Sequence, residues 1–374
     1  MSIVLLILGL LMFVGLVVVH EFGHFLLARR NGVDIEEFGI GFPPRAWSRK
    51  TKHGFVFSLN WLPIGGFVKL KGEHDADTHP GSFGAASTWA KTKIMLAGVA
   101  MNLLAAFVLL TALAWVGMPQ LIDNQFTVQS DTHVSRQEVL VGAVESHSPA
   151  QQAGLKTRDH LLQLGVPGAM QSVTTADRLP SVTKKYAGQK VVLQYERGGQ
   201  TRSTTIQLRS AKEVTASQKT SNPKGYLGIS PTEYTLRRST WSAPIVALGL
   251  IKQFTIVTFQ GLGTAVSALF HGNTAKASAQ VSGPVGIVVL LRDGSLLGYQ
   301  FVLLIIAIIS LTLAIMNVLP IPALDGGRLF MLLVSRVLKK PLSEQVEERI
   351  VGVGFTFLML LVVLITIVDV RRYF

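Results

Sequence analysis

The sequence predicts a polytopic α-helical membrane protein with about four transmembrane helices, a re-entrant β-hairpin and an inserted small β-rich domain. Three observations predict it. Hydrophobic residues make up 49% of the 374 and charged residues only 15%, which suits helices surrounded by lipid with room for one soluble insert. Four apolar runs, residues 3–27, 94–118, 301–316 and 352–368, are long enough to serve as spans. Residues 120–240 instead carry alternating strand patterns and turn residues. The chain therefore divides into a membrane segment at 1–119, an insert at 120–235 and a second membrane segment at 236–374.

Composition narrows the chemistry. There is no cysteine, which excludes thiolate metal sites, disulfides and a cysteine nucleophile, so any metal must be held by His, Asp or Glu. The net charge of +13 raises nucleic acid as a partner, but the basic residues are scattered over loops and no recognition module accompanies them. The lipid bilayer, through its anionic headgroups, is the better partner for these charges.

The first run is apolar except for His20-Glu21-Phe22-Gly23-His24. Nothing positive precedes it and no small-residue cleavage site follows, so it is expected to be a retained span. On a helix turning ~100° per residue, His20 and His24 share a face and can converge on one ion. Glu21 projects from an adjacent face, where its carboxylate can deprotonate a metal-bound water without being a ligand. This is the division of labour that H-E-x-x-H encodes around zinc. In a soluble helix so short a motif arises by chance. Inside an apolar helix a charged residue costs on the order of 2.5–3.5 kcal/mol on insertion, so the metal reading prevails.

The motif begins ~25 Å along this helix, near the far leaflet. Arg29 and Arg30 follow, and the loop to Lys93 adds Arg45, Arg49, Lys50, Lys52, Lys69, Lys71 and Lys91, which marks that side as cytoplasmic and the N-terminus as outside. Within this loop, residues 54–61 and 67–71 read as strands of a hairpin around Leu62-Pro63-Ile64-Gly65-Gly66. Non-helical backbone reaches membrane depth only where it lines a protein cavity, so this is either a re-entrant hairpin beside the metal or an ordinary surface hairpin. His74, Asp75, Asp77 and His79 suggest a second metal cluster, although a solvated polar loop around Pro80-Gly81 is the better reading.

The second run returns the chain to the outside, with Asn102 as its one strongly polar intrusion. In the insert, residues 190–195 and 203–208 read as strands. Residues 241–270 are apolar but interrupted by Lys252, Gln253 and Gln260. A single crossing there would leave Asp325 on the side opposite His24, so residues 241–290 are expected to be interfacial or re-entrant. The last run then places Arg371 and Arg372 outside, mildly against the positive-inside rule.

The third run ends in Asn317-Val318-Leu319-Pro320-Ile321-Pro322-Ala323-Leu324-Asp325-Gly326-Gly327-Arg328. Two prolines and two glycines break helical hydrogen bonding there, which lipid tolerates only around a protein cavity. Asp325 taken alone could cap a following helix at 326–338. Joined to an H-E-x-x-H on the same side, it supplies the carboxylate of a His, His, carboxylate zinc site and leaves a fourth position to water.

At these residues the chain resembles the site-2 intramembrane metalloproteases, in particular the bacterial regulator of sigma-E protease group with a single PDZ insert. The resemblance rests on His20-Glu21-Phe22-Gly23-His24, the Leu62–Leu70 segment, which resembles a membrane-associated β-loop, Gly283-Pro284-Val285-Gly286-Ile287 and the 317–327 motif. Val141-Gly142-Ala143-Val144 and Ser148-Pro149-Ala150-Gln151-Gln152-Ala153-Gly154-Leu155 look like a PDZ core. Two departures stand out. Gly98-Val99-Ala100-Met101-Asn102 lacks the family's proline but keeps its Asn, and Arg158-Asp159 stands where the PDZ usually has Gly-Asp.

The resemblance implies a zinc endopeptidase of the bacterial cytoplasmic membrane acting on single-pass membrane proteins. Glu21 would be catalytic and His20, His24 and Asp325 would hold the metal. Gly65, Gly66, Phe67 and Val68, with Asn317, Pro320 and Pro322, would hold a substrate segment unwound into a strand. The insert would lie outside and select substrates, as a size filter or as a dock. A metal-ion transporter is the rival from another class, but no internal repeat supports it. An inactive helix-binding relative would have no need of Glu21.

Overall fold

A backbone in lipid must satisfy its own N–H and C=O groups, and the apolar runs do so as long helices. The computed structural model describes residues 2–73, 77–220, 223–339 and 343–374. The first run forms α1 (Ser2–Arg30), with Arg29 and Arg30 in its last turn. Strands β1 (Ile35–Lys50) and β2 (Val56–Leu70) follow, then α2 (Thr88–Val116), whose first turn is capped by Ser87 Oγ accepting from the Ala90 N–H. Gly23 lets α1 and α2 approach closely, since a Cβ there would lie 2.6 Å from Ala97 O. The H-E-F-G-H segment thus carries its own helix-packing residue.

The strand pairing differs from the sequence expectation. Residues 54–61 and 67–71 do not form a hairpin with each other, because residues 35–40 run between them. Phe38 partners Val68 on one side and Phe57 on the other, and Ile40 partners Gly66 and Leu59. Gly41, at φ 80°, and Pro43-Pro44 interrupt β1. Residues 45–50 then pair with 56–60. Phe25 of α1 holds this sheet by edge-on contacts with Phe38 and Phe55, ring centroids 5.6 and 5.1 Å apart. Of the proposed second metal cluster, His74 and Asp75 lie outside the described residues. Asp77 is a turn residue, accepting from the His79 N–H at 2.9 Å.

Residues Gly117–Asn124 and Gln129–Ser239 form a compact unit of their own. It contains β3 (Met118–Pro119), β4 (His133–Val144), α3 (Pro149–Gln152), β5 (His160–Val166), β6 (Ala169–Ser172), α4 (Arg178–Lys185), β7 (Lys190–Arg197), β8 (Gln200–Gln207), α5 (Ala211–Ser217) and β9 (Ile229–Arg238). The strand order is β3-β9-β4-β5-β7-β8, with β6 on β5. Alternate residues of these strands, Val139, Val141, Leu161, Leu164, Val191, Leu193 and Ile206 among them, make one core. The unit also has three short helices that the strand patterns did not reveal.

The chain continues through α6 (Ala243–Phe270), α7 (Thr274–Ser278), α8 (Pro284–Leu297), α9 (Tyr299–Val318), α10 (Asp325–Val337) and α11 (Glu344–Tyr373). Among the described residues five helices, α1, α2, α6, α9 and α11, are long and apolar enough to cross a membrane. α6 has the lowest hydropathy of them, and the chain on either side of it is tied to the ends of α2 and α11. At its start, Trp115 at the end of α2 donates to Thr240 O. Just beyond α7, Ser278 O accepts from Arg372 at the end of α11. The nine residues from Phe270 to Ser278 include a helix rising only ~7.5 Å, too short to return a chain across a core ~30 Å thick. α8 has only 14 residues, too few to span.

Candidate metal centre

His20 and His24 lie one helical turn apart on α1, and the broken segment after α9 brings Asp325 to them across the bundle. The Asp325 Oδ2 atom is 3.1 Å from His20 Nε2 and 3.3 Å from His24 Nε2. The two Nε2 atoms are 3.2 Å apart. Ala323 takes φ 77°, a left-handed conformation costing a non-glycine residue roughly 1–2 kcal/mol, in the turn that delivers Asp325. The helix-capping alternative for Asp325 is not realised. It occupies the first turn of α10 and its side chain faces the histidines.

The other ring nitrogens fix the tautomers. His24 Nδ1 is 2.8 Å from Ile94 O, which can only accept, so Nδ1 carries the proton and Nε2 a lone pair. His20 Nδ1 lies 3.2 Å from the Asn102 amide. With the Asn102 amide turned so that its oxygen accepts from Nδ1–H, His20 also offers Nε2 unprotonated, and the amide nitrogen takes the buried place of Oδ1. Ser310 Oγ donates to Asn102 O at 2.8 Å, tying α9 to this arrangement. Gly98 supplies the space, because a Cβ there would overlap both imidazoles.

Two lone pairs and a carboxylate oxygen therefore meet with no proton between them. A tetrahedral cation with bonds of ~2.0–2.1 Å separates its ligand atoms by about 3.3–3.4 Å, close to the observed spacing. The donor set fits zinc. Among the described residues this is the one group of three or more His, Asp or Glu side chains able to hold a metal ion.

A cavity of about 360 Å³ opens beside this cluster. Glu21, His24, Gly66, Phe67, Val68 and Asp325 line it. The Glu21 carboxylate accepts the backbone N–H of Val68, and the N–H of Leu70 donates to Glu73 Oε1 at 3.0 Å. Alternate residues of β2 thus turn their N–H groups away from β1, so this strand edge faces the metal cluster. Gly66 allows the approach, since a Cβ there would sit 3.2 Å from Glu21 Cγ. Of the other residues the sequence proposed, Asn317 lies in the last turn of α9, Pro320 and Pro322 lie in the turn leading to Asp325, and Gly65, at φ 100°, bends β2. None of these four lines the cavity.

The model of peptidase family M50 matches residues 8–361. The chain belongs to this family. A relative from Clostridium acetobutylicum named "putative zinc metalloprotease" is 32% identical over 372 residues, covering 99% of this chain and 98% of the relative. A protein of the same description from Clostridium perfringens is 31% identical over 366 residues, 97% of each chain. One from Fusobacterium nucleatum is 28% identical over 368 residues, covering 98% of this chain and 97% of the relative. In this M50 peptidase, sequence reasoning missed Gly98 and the pairing of Asn102 with His20. Their signal was an unexplained Asn, four residues after a glycine, in an otherwise apolar span.

Proposed function

We propose that this chain is an intramembrane zinc endopeptidase of the site-2 type, cleaving single-pass membrane proteins within or beside their transmembrane segments. The observation that carries the reading is the convergence of three metal-ligand atoms, from His20, His24 and Asp325, beside a cavity that His24, Asp325, the Glu21 carboxylate and the edge of β2 line together. His20, His24 and Asp325 would hold zinc, which when bound lowers the pKa of a water molecule to ~7 and polarises a carbonyl. Glu21 takes the proton from that water and returns it to the leaving amine. A helical substrate hides its carbonyls in its own hydrogen bonds, so it must first unwind. The edge at Gly66 and Val68 can then pair with the exposed backbone, as an added strand. Asn317, Gly65, Phe67, Pro320 and Pro322 shape the path to this edge.

By the same reading the protein lies in a bacterial cytoplasmic membrane, with the metal site toward the cytoplasm and the insert, a PDZ domain, outside. On this topology the insert would act by choosing substrates, and we favour a size filter over a dock. The test is reconstitution of the purified protein with a single-pass substrate. Cleavage should stop on zinc chelation and in Glu21→Gln, which should keep its zinc, whereas Asp325→Ala should lose both. Full activity of Glu21→Gln would sink the mechanism, and metal transport without cleavage would favour a transporter.

A further inference from the structure

α11 is a 30-residue apolar helix in which the only buried residue is a charged one, Asp369. An aspartate at this depth is costly and calls for a partner. It has two. Asp369 Oδ2 accepts the backbone N–H of Gly283 at 2.8 Å and of Gly286 at 2.7 Å, the unsatisfied donors at the N-terminus of α8, where a negative charge is also favoured by the helix dipole. Both positions need glycine. A Cβ on residue 283 would meet Ile365 Cγ2 at 2.8 Å, and one on either residue would meet Asp369 Oδ2 at 3.0 Å. Gly283-Pro284-Val285-Gly286 is thereby explained as a receptor for this carboxylate, a role the cleavage chemistry does not give it.

α11 has a second point of close contact. Gly354 lies against Pro322, with a Cβ there predicted 2.5 Å from Pro322 Cβ and 2.7 Å from Pro322 O. Pro322 belongs to the turn that ends in Asp325. The two points are ~22 Å apart along the helix. Between these two points α11 is mostly exposed, with Leu358, Ile365, Thr366 and Val368 partly covered, so the two close contacts do most to set its position. We infer that α11 is a strut. Asp369, anchored on Gly283 and Gly286, seats Gly354 against Pro322 and so holds the turn that presents Asp325 to His20 and His24. Asp369 is on this account a positioning residue for a metal ligand more than 20 Å away.

The inference rests on the zinc reading, and the experiment separates the two. Zinc affinity of the purified full-length protein is measured by chelator competition, beside its melting temperature and its turnover. His20→Ala must lose zinc relative to the unsubstituted protein, and if it does not, the zinc reading fails. Given that it does, Asp369→Ala should bind zinc about ten-fold more weakly, the low end of losses seen when support for a ligand is removed. Asp369→Asn, which keeps one acceptor oxygen, should fall between. The chain has no cysteine, so Gly283→Cys with Ile365→Cys can be added to Asp369→Ala, re-tying α11 to α8 by a disulfide instead of a carboxylate. Oxidation should restore the affinity and reduction should remove it again. The strut is overturned if Asp369→Ala keeps full zinc affinity while its melting temperature falls, or if the disulfide forms and the affinity does not return. Should Asp369→Ala not fold, the same comparison on Asp369→Asn decides, and unchanged affinity there overturns the inference.

Discussion

A methyl group on residue 98 would overlap atoms of both His20 and His24, so the space around the imidazoles is set by α2 as much as their spacing is set by α1. Gly98→Ala should therefore weaken zinc binding by about 10–100-fold, the range for disturbed ligand support, with α2 still helical by circular dichroism. Equilibrium dialysis with zinc measures it, and unchanged affinity would show that the imidazoles can yield. His20, His24 and Asp325 were legible in the sequence because lipid makes every ionisable group conspicuous. Gly98 was not, because a glycine in an apolar run gives no sign of what packs against it. Arg158 marks the opposite case, in which the backbone has a readable cost. It takes φ 73°, in the left-handed region that favours glycine. Its neighbour Asp159 is fixed by the Arg197 guanidinium at 2.6 Å and by the Lys156 N–H at 2.8 Å. Relieving the left-handed residue, Arg158→Gly should stabilise the insert by about 1 kcal/mol. Its melting transition should rise by about 4 °C, read by scanning calorimetry.

Among the elements, β2 depends on a period of two. Phe67 and Lys69 oppose residues of β1, while the N–H groups of Val68 and Leu70 turn to Glu21 and Glu73. If a substrate strand pairs with this edge, a side chain at Gly66 should obstruct it. Gly66→Val is expected to lower turnover on the order of 100-fold, as displacements of about an ångström do, with zinc content intact. Equal losses of zinc and turnover would instead point to damage at the metal cluster. The two short runs of β2 were visible in the sequence as apolar alternation around a glycine pair. Their true partner was not, because β1 contains Pro43-Pro44 and the charged pair Glu36-Glu37, which hide its strand character. A long-range pairing with residues 35–40 leaves no local trace. The helices α4 and α5 escaped for a related reason, being brief and amphipathic within a strand-rich stretch.

At the level of the whole molecule, the path of the chain is decided by parity and by where helix ends are tied. On the proposed topology Asp325 reaches His20 and His24 because α9 runs in the same direction as α1, and everything between α2 and α9 begins and ends on one side. Length and hydropathy alone would let α6 cross. The chain on either side of it is tied to Trp115 and, beyond α7, to Arg372, at the ends of α2 and α11, and Lys252, Gln253 and Gln260 are tolerable in a helix lying along an interface. With no native cysteine, single cysteines can report the sides through an impermeant thiol reagent applied to sealed vesicles of known orientation. Lys50, Arg202 and His271 are exposed and suit the purpose. Cysteines at 202 and 271 should react from the same face and a cysteine at 50 from the other. If 271 instead reacts with 50, then α6 crosses. In that case α8, with its 14 residues, would have to return the chain, against the length such a crossing requires.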